Sequence, residues 1–445
     1  MLNFIWLGLI LIAVVLGGLT GSLDAVTVAA FKACETAVVN LAIPLIGLMA
    51  IWLGMMRLAE KAGLIQLLAR ALRPLMTRLF PDVPPEHPAM GAMLLNMGAN
   101  MLGLGNAATP MGLKAMAHLE KLNRTPGTAS NAMCTFLAIN TSSIQLIPAT
   151  TVAYLAAAGS REPTAIIGPA FLATVCAATA GIVAVKFFEK LPMFRNREAK
   201  TERSSSELSA SVEPEEKTEP TSKLVSWAFI PLAIFLGLFA MFAWQLVANA
   251  HPTDAKSSIL AFVRAISTLA VPFLFSFFPL YAALRRIPVY EEFIEGAKEG
   301  FAVATRIIPY LVAILASIGM VRAAFAASAK LDWFATGMSG LSRFLAFIGV
   351  PGDLLPLILL RPLSGSGASG VFNEIIRNPA LGGPDSLISR MAGCIMGSTE
   401  TTFYVIAVYF GSVAVRRTRH AIPAGLIADL TGVIASIWIC RLMFS

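Results

Sequence analysis

Apolar runs close to the length of a membrane-spanning helix recur along this 445-residue chain. Examples are LNFIWLGLILIAVVLGGLTG, which begins at Leu2, and LVSWAFIPLAIFLGLFAMFAWQLVANA, which begins at Leu224. A helix needs about 20 apolar residues to cross a bilayer. Only 13% of the residues are charged, whereas soluble domains carry about 25%. The sequence therefore predicts an all-α polytopic membrane protein embedded in a lipid bilayer. Its net charge of +8 is typical of loop Lys and Arg on the cytoplasmic side and requires no nucleic acid.

The residues that usually carry chemistry show no catalytic or metal-binding pattern. Five cysteines are scattered through apolar segments without a C-x-x-C motif, and the four histidines fit no metal spacing. No Walker A motif indicates nucleotide hydrolysis. A nucleophile with its base and an interfacial carboxylate cluster are also missing from the sequence. We therefore predict no catalytic residue, no metal and no cofactor.

One polar segment divides the chain. Residues 191–223 are charged and rich in Ser, Glu and Pro, a composition that cannot form a packed core. The predicted organisation is a first repeat over residues 1–190, a cytoplasmic charged linker over 191–223, a connecting transmembrane helix within 224–258 and a second repeat over 259–445.

The two halves contain the same features in the same order. NLAIPLIGLMAIWLGMMRLAEKAGL around Pro44 matches TRIIPYLVAILASIGMVRAAFAASA around Pro309. A short apolar segment ending in glycines follows in each half, and then a polar cluster: NTSSIQLIP from Asn140 and GSTETTFYV from Gly397. The span near 224–249 reverses the second half relative to the first. We therefore predict two inverted-topology repeats with re-entrant or broken helices.

The distribution of Lys and Arg orients these repeats. Most of them fall on one side if the N-terminus and the linker are cytoplasmic and the C-terminus is outside. The predicted location is the bacterial cytoplasmic (inner) membrane.

The stretch RPLSGSGASGVF, from Arg361, contains the G-x-G-x-x-G pattern of a dinucleotide-binding turn. Such a turn follows a β-strand and opens a helix, but the preceding GDLLPLILLRP is a short apolar span. The glycines instead indicate backbone that unwinds at membrane depth, which is tolerated only where it lines a protein cavity. Short segments interrupted by Gly or Pro in both halves point to a transporter binding site.

The candidate substrate-binding residues lie in four clusters, two in each half. In the first half they are Asn96, Asn100, Gly103, Gly105, Asn106 and Thr109, with Asn140, Thr141, Ser142, Ser143 and Gln145. In the second half they are Arg361, Ser364, Gly365, Ser366, Gly367 and Ser369, with Asn373, Glu374, Ser398, Thr399, Glu400, Thr401 and Thr402. Runs of polar residues inside apolar sequence are costly unless they are paired or hydrated. The alternative role is close helix packing, for which Gly, Ser and Thr are suited in membranes.

Three ionisable residues stand out within the membrane segments. Arg361 can hold a carboxylate or phosphate of a solute, or it can pair with Glu400 or Glu374 and fix the fold. Glu400 and Asp429 are candidates to carry a coupling H⁺ or Na⁺. The first half has no acid at either matching position, so charge-based chemistry would be asymmetric.

A family resemblance adds to these inferences. The first half, with GNAATPMGLKAM and NTSSIQLIPATT, resembles spore maturation protein A, and the second, with RPLSGSGASGVFNEI and GSTETTFYVIAVYFGSV, resembles spore maturation protein B. These families belong to the nucleoside-recognition or gate-domain group. That group includes the membrane part of ferrous iron transporter B and resembles concentrative nucleoside transporters. Asn106 and Ala107 stand where the iron transporter has a Cys, which argues against iron as substrate.

The leading hypothesis is a secondary transporter that works by alternating access and carries a small polar or anionic solute. A nucleoside-like molecule is one candidate for this solute. The alternatives are a membrane scaffold for envelope or spore maturation and an integral membrane enzyme acting on a lipid-linked substrate. The enzyme is disfavoured because the sequence contains no nucleophile with its base and no interfacial carboxylate cluster. The expected partners are the small-molecule solute, the lipid bilayer, the coupling H⁺ or Na⁺ and, as one option, further copies of the chain in a homo-oligomer.

Overall fold

The structure is a computed structural model. It describes residues 2–103, 105–142, 144–194, 229–251, 254–328 and 349–444. Residues 195–223 of the predicted linker lie outside the described residues. Within the described ranges the chain is helical, and its only β-contact is an isolated bridge between Thr128 and Arg417. The predicted all-α fold is confirmed.

The helices before the linker are numbered in chain order. They are α1 Leu2–Thr20, α2 Leu23–Glu35, α3 Ile43–Lys61, α4 Leu64–Leu79, α5 Pro88–Met101, α6 Gly105–Lys121, α7 Asn131–Thr141, α8 Ala149–Ala157 and α9 Ile167–Glu189. A π-helix, Thr36–Ala42, joins α2 to α3, and a short 3₁₀-helix, Pro192–Phe194, follows α9.

The helices after the linker continue this numbering. They are α10 Phe229–Asn249, α11 Ala255–Leu284, α12 Val289–Ser328, α13 Leu355–Leu360, α14 Gly365–Arg377, α15 Leu387–Ser398, α16 Thr402–Ser412 and α17 Ala421–Phe444. Short 3₁₀-helices, Gly352–Leu354 and Pro379–Leu381, flank α13 and α14.

Among the described residues, five helical segments are long and apolar enough to cross a membrane. They are Ile167–Glu189, Phe229–Asn249, Ser257–Leu284, Leu387–Ser412 and Ala421–Phe444. The fourth contains the interruption between α15 and α16. In α10 no residue is buried, which suits a helix surrounded by lipid. The chain is a multi-pass membrane protein.

The core is built where matching helices of the two halves pack together. Helix α3 packs along α12, and α9 packs along α17. Small residues allow the second pair to approach closely: a Cβ placed on Gly181 would lie 3.1 Å from the Cβ of Ala428. Membrane helices use small residues in this way because van der Waals contact between them replaces contact with lipid. These two helix pairs frame the segments described below.

The matching prolines lie in different local structures. Pro44 is the second residue of α3, and the π-helix directly before it continues the helical run from α2. Pro309 lies inside the 40-residue helix α12. A proline inside a membrane helix is tolerated when neighbouring groups satisfy the freed backbone. The sequence match between the two segments therefore does not extend to their helix boundaries.

A set of loop contacts also joins the two halves. The Arg419 guanidinium donates to the Phe194 carbonyl and, at 3.0 Å and 2.8 Å, to the Ala129 carbonyl and Asn131 Oδ1. The neighbouring His420 is fully buried, and its ring lies 5.8 Å from that of Phe194. We call the contacts of Arg419 and His420 the loop clamp, because they tie the segment before α17 to residues of the first half.

Candidate functional site

The first interrupted helix lies between α7 and α8. Helix α7 ends at Thr141 and α8 begins at Ala149, and we call the connection between them the first break. The hairpin formed by α5 and α6 turns at Gly103, whose φ of +77° favours glycine. The Leu146 N–H of the first break donates to the Met101 carbonyl at 2.9 Å. The tip of the hairpin is therefore fastened to the break by a backbone bond.

Side-chain amides line the first break. Asn100 Nδ2 donates to Asn140 Oδ1 at 2.9 Å, which joins the hairpin to the end of α7. Asn96 Nδ2 donates to the Ala108 carbonyl at 2.7 Å and to the Tyr409 hydroxyl at 3.2 Å. The same hydroxyl lies 3.5 Å from Asn140 Oδ1. Because Tyr409 belongs to α16, this network already contains a residue of the second half.

The hydroxyl groups at the end of α7 have partners within their own helix. Thr141 Oγ1 donates to the Ala138 carbonyl at 3.0 Å, and Ser142 Oγ donates to the Ile139 carbonyl at 2.8 Å. Both side chains are buried. In the structure they help to end the helix, so only a rearrangement would let them face a solute.

The other predicted residues of the first half lie around the same place. Gly105 begins α6, Thr109 lies in its second turn, and Gln145 is half-buried in the first break. Ser143 and the side chain of Asn106 lie outside the described part of the chain.

The second half repeats this arrangement. Helix α15 ends at Ser398 and α16 begins at Thr402, and we call the connection between them the second break. The tip of the hairpin formed by α13 and α14 spans residues 361–364. The Phe403 N–H donates to the Pro362 carbonyl at 3.0 Å, so a backbone bond again fastens the hairpin tip to the break.

The predicted glycines begin a helix and do not form the unwound segment itself. Ser364 is the N-cap of α14, and its hydroxyl accepts the Gly367 N–H at 3.0 Å. A Cβ placed on Gly365 would lie 2.9 Å from Thr401 Oγ1, so this position has no room for a side chain. The Ser366 hydroxyl lies 3.4 Å from that of Ser364. The unwound residues are thus the four before Gly365.

Two further predicted residues follow along α14. Ser369 Oγ donates to the Gly365 carbonyl at 3.0 Å, and Asn373 Nδ2 donates to the Ser369 carbonyl at 3.1 Å. Asn373 Oδ1 is buried and has no hydrogen-bond partner among the described residues. It remains one acceptor that a ligand or water could use.

The guanidinium of Arg361 is buried against the end of α15. It donates to the Met396 carbonyl at 3.0 Å, to Thr399 Oγ1 at 3.2 Å and to the Thr399 carbonyl. The Glu400 carboxylate lies 4.0 Å away. A cation suits the carbonyl end of a helix. These bonds hold the Arg361 side chain against the second break.

The other polar residues of the second break face α17. Ser398 Oγ and Ser436 Oγ are 2.9 Å apart, and Thr402 Oγ1 donates to Asp429 Oδ2 at 2.6 Å. All four residues are buried. The predicted acid Asp429 is therefore in contact with the first residue of α16.

The two breaks lie next to each other. A Cβ placed on Gly397 would lie 2.8 Å from the Cβ of Pro148, the last residue of the first break. A Cβ placed on Gly425 of α17 would lie 2.9 Å from Thr402 Cγ2 and 3.3 Å from Thr141 Oγ1. One face of α17 therefore contacts both breaks.

A family model and known proteins match parts of this chain. Residues 42–161 match the Gate family model, described as nucleoside recognition. The chain is 45% identical over 188 residues to spore maturation protein A of Bacillus subtilis (strain 168), a match that covers 42% of the chain and 95% of that protein. It is also 41% identical over 182 residues to spore maturation protein B of the same organism, covering 41% of the chain and 97% of that protein.

The chain belongs to the spore maturation protein A and B family. This confirms the resemblance inferred from its motifs. No solved structure matches the chain.

Three residues of this spore maturation family member contact the breaks but were not predicted from its sequence. Tyr409 joins the amide network, Ser436 pairs with Ser398, and Thr174 Oγ1 of α9 lies 3.4 Å from the Ser142 carbonyl. Each is a polar residue with apolar neighbours on both sides in sequence. No local pattern marks such residues, and only the packing of α9, α16 and α17 brings them to the breaks.

A small cavity adjoins the first break. A cavity of about 10 Å³ lies beside Asn100 and Asn140, which is room for about one water molecule. A groove of about 350 Å³ lies elsewhere, between α10 and α11, and Arg264 is among its lining residues. That groove contains none of the predicted site residues.

The candidate site of this family member is asymmetric in charge. The first break is lined by amides and hydroxyls, whereas Arg361, Glu400 and Asp429 adjoin the second break. Among the described residues, no group of three or more His, Cys, Asp or Glu side chains could hold a metal ion. The arrangement is suited to hydrogen-bonding a small polar molecule.

Proposed function

We propose that this chain is a secondary transporter for a small polar or anionic solute, which binds where the two breaks meet. The observation that carries the proposal is the contact between Gly397 and Pro148, which brings two interrupted helices from different halves together. Each interruption also holds the tip of a hairpin from its own half. Interrupted helices at the interface of two repeats are typical of substrate sites in transporters.

Backbone groups at the breaks support solute binding. The N-cap residues of α8 and α16, Pro148 and Thr401, make no side-chain capping bond to their helices. The first N–H groups of a helix need partners outside its own ladder; in α16 the Thr402 and Phe403 N–H groups use the Glu400 and Pro362 carbonyls. The partial positive charge of these helix ends still favours an anionic or polar group nearby. Irregular backbone at membrane depth is stable only when protein, water or a ligand satisfies it.

The side chains favour a solute with several hydrogen-bonding groups. Asn96, Asn100 and Asn140 can each offer both donors and acceptors. The family model that matches residues 42–161 is described as nucleoside recognition. A nucleoside is therefore the first solute to test, followed by organic anions and amino acids.

The proposed cycle follows from the proposed topology. The two halves thread the membrane in opposite directions, so a rocking motion between them would expose the breaks first to one side and then to the other. The protein would lie in the bacterial cytoplasmic membrane, with its N-terminus and linker inside and its C-terminus outside. A solute or ion gradient would drive transport.

Uptake into proteoliposomes tests the proposal. Liposomes that contain the wild-type protein should take up more of a labelled nucleoside, organic anion or amino acid than empty liposomes do. The measurement is made with and without an ion gradient. Asn100→Ala removes a donor at the first break and should reduce that uptake. Asn249→Ala is the matched control, because Asn249 is exposed at the end of α10. Absence of uptake for every class under every gradient would contradict a transport function.

One observation favours a second candidate, a non-transporting membrane scaffold. The amides of the first break bond to one another, Arg361 bonds to its own half, and the cavity beside the amides has room for about one water molecule. A scaffold would keep this arrangement permanently, whereas a transporter would open it. In a scaffold, Asn100→Ala would lower the stability of the protein, and no solute would be taken up.

A further inference from the structure

One face of α17 follows the whole length of the second break. A Cβ placed on Gly432 would lie 2.8 Å from Thr399 Cγ2, and Ser436 pairs with Ser398. Between these contacts and Gly425, the side chain of Asp429 faces the start of α16. The acid is therefore placed at the centre of the contact between α17 and the break.

The Asp429 carboxyl group is nearly sealed from solvent, and the Thr402 hydroxyl is its close hydrogen-bond donor, with the Glu400 backbone N–H as a second, weaker one. The residue is 5% exposed. Its Oδ2 is bonded to Thr402 Oγ1 at 2.6 Å, whereas its Oδ1 is buried without a hydrogen-bond partner among the described residues. An ionised carboxylate in this position would leave much of its charge uncompensated, which is far more costly than leaving one neutral carbonyl oxygen unpaired.

The charged groups near Asp429 belong to the second break and its hairpin. The Arg361 charge attracts an Asp429 carboxylate and Glu400 repels it, but the guanidinium itself is bonded to the end of α15 and not to Asp429. Arg390 of α15 lies over the ring of Phe444, at the other end of α17.

The remaining neighbours of Asp429 contribute no full charge. Helices α7 and α9 present Thr141 and Thr174 to this region. Helix α16 presents Thr402, and its titratable Tyr409 lies in the amide network. No fixed cation is therefore dedicated to Asp429 among the described residues.

We propose that Asp429 is a proton-binding site and that, if the chain is the transporter proposed above, this is its coupling proton. The proton comes from water on one side of the membrane, converts the carboxylate to a carboxylic acid, and returns to water on the other side. Thr402 serves both forms, because a hydroxyl donates to the carboxylate and accepts from the acid. Thr402 is also the first residue of α16, so the protonation state acts directly on the second break.

Infrared spectroscopy of the full-length protein in lipid tests the proton site independently of transport. The wild-type protein should show the carboxylic-acid band of a buried group near neutral pH, and Asp429→Asn should remove that band. Thr402→Val, which removes the close hydrogen-bond donor, should shift the band without abolishing it. Together the two variants identify the group that holds the proton.

Asp385→Asn is the control for the infrared experiment. Desolvation opposes ionisation of Asp385, but hydrogen bonds from the Arg161 N–H and the Ser160 hydroxyl lower its pKa overall. It is therefore ionised near neutral pH, and its removal should leave the acid band unchanged. The proposal is overturned if Asp429→Asn retains the wild-type band between about pH 5 and about pH 9, or if Na⁺ concentration and not pH controls that band.

Uptake driven by a proton gradient separates this inference from the proposed function. In a proton-coupled transporter, Asp429→Asn should abolish gradient-driven uptake while solute exchange without a gradient continues. If the infrared band behaves as expected and no solute is transported, the transport function fails and the proton site stands. If transport occurs but Asp429→Asn still responds fully to the proton gradient, the coupling role of Asp429 is wrong.

Discussion

The two breaks share one backbone arrangement and differ in chemistry. In each, an N–H of the break or of the helix after it donates to a carbonyl at a hairpin tip: Leu146 to Met101 in the first half, and Phe403 to Pro362 in the second. The first break then carries neutral amides such as Asn140, whereas the second adjoins buried ionisable groups. The shared part fixes where the helices stop, and the side chains decide what each break can bind.

The same contrast holds for the two long helices beside the breaks. Helix α9 places Thr174 near the Ser142 carbonyl of the first break, and α17 places Asp429 against Thr402 of the second. At the first break, the neutral hydroxyl of Thr174 is the group that α9 places against the backbone. The buried acid beside the second break is the residue on which the proposed proton site rests.

The largest effect is expected from removing the guanidinium of the second break. Arg361→Leu leaves the Met396 and Thr399 carbonyls unsatisfied and Glu400 without its nearest cation. Leaving two buried carbonyl oxygens without a donor costs about 1–3 kcal/mol each of the free energy of unfolding. Denaturant unfolding in detergent measures this cost.

Two further variants test whether the loss of stability is specific to the guanidinium of Arg361. Arg361→Lys should restore only part of the stability, because an ammonium cannot donate in the planar fork of a guanidinium. Arg416→Leu is the matched control: Arg416 is exposed and should change stability by less than about 0.5 kcal/mol. Equal stability of Arg361→Leu and wild type would show that the second break does not depend on its charge.

A pH effect is expected at the loop clamp, away from both breaks. Burial lowers the pKa of His420 from 6.5 to about 4, and the nearby charges of Arg419 and Lys186 act in the same direction. Below about pH 6.5 the unfolded chain therefore binds a proton that the folded chain does not. Stability should fall by up to about 3 kcal/mol between pH 6.5 and pH 4, at ~1.4 kcal/mol per pKa unit.

Thermal unfolding at a series of pH values checks this effect. His420→Leu should weaken the dependence of the midpoint temperature on pH in that range, because the group that titrates is gone. If the variant shows the same dependence as wild type, other groups control the acid sensitivity.

A smaller effect is expected from the amides of the first break. Asn140→Leu removes the acceptor that Asn100 Nδ2 reaches at 2.9 Å and leaves this half-buried nitrogen only its long, 3.5 Å contact with Asn96 Oδ1. This costs about 1–3 kcal/mol, less than the loss of Arg361, because no charge is left unbalanced. Denaturant unfolding measures it, with Asn249→Leu as an exposed control. A loss as large as that of Arg361→Leu would contradict the distinction between a neutral and a charged break.

The smallest effect is expected from the tyrosine that links the halves. Tyr409→Phe removes the hydroxyl that Asn96 Nδ2 contacts, but the same nitrogen keeps its bond to the Ala108 carbonyl. The expected loss is about 0.5–1.5 kcal/mol. Tyr404→Phe is the control, since Tyr404 is 59% exposed. A loss of several kcal/mol would mean that the first break depends on the second half much more than its amides indicate.

Much of the architecture could be predicted from the sequence because it depends on local signals. The lengths of the apolar runs predicted the long membrane spans. The glycines and the polar run from Asn140 predicted where helices are interrupted. The prediction placed the unwound segment of the second hairpin at the glycines themselves. The helix begins at Gly365 because Ser364 caps it, so the unwound residues lie slightly earlier.

The remaining part of the site could not be predicted because it depends on long-range packing. Asn96 and Tyr409 meet across 313 positions in sequence. The sequence offered a solute anion or the carboxylates of Glu400 and Glu374 as partners of Arg361, and Glu400 does lie 4.0 Å away. The sequence did not indicate the two carbonyl oxygens at the end of α15 that also accept hydrogen bonds from Arg361. Backbone carbonyls carry no sequence signature, so only the fold shows which of them remain available to a buried cation.

The central claim is that both breaks face one path through the membrane, and thiol labelling tests it most directly. Gln145→Cys and Glu400→Cys would place one reporter in each break, in a chain whose five native cysteines are replaced. The account predicts that membrane-impermeant reagents reach both reporters from either side of the membrane and that transported solute protects them. Reporters that stay unlabelled, or that are reached from one side only whatever the solute, would contradict it.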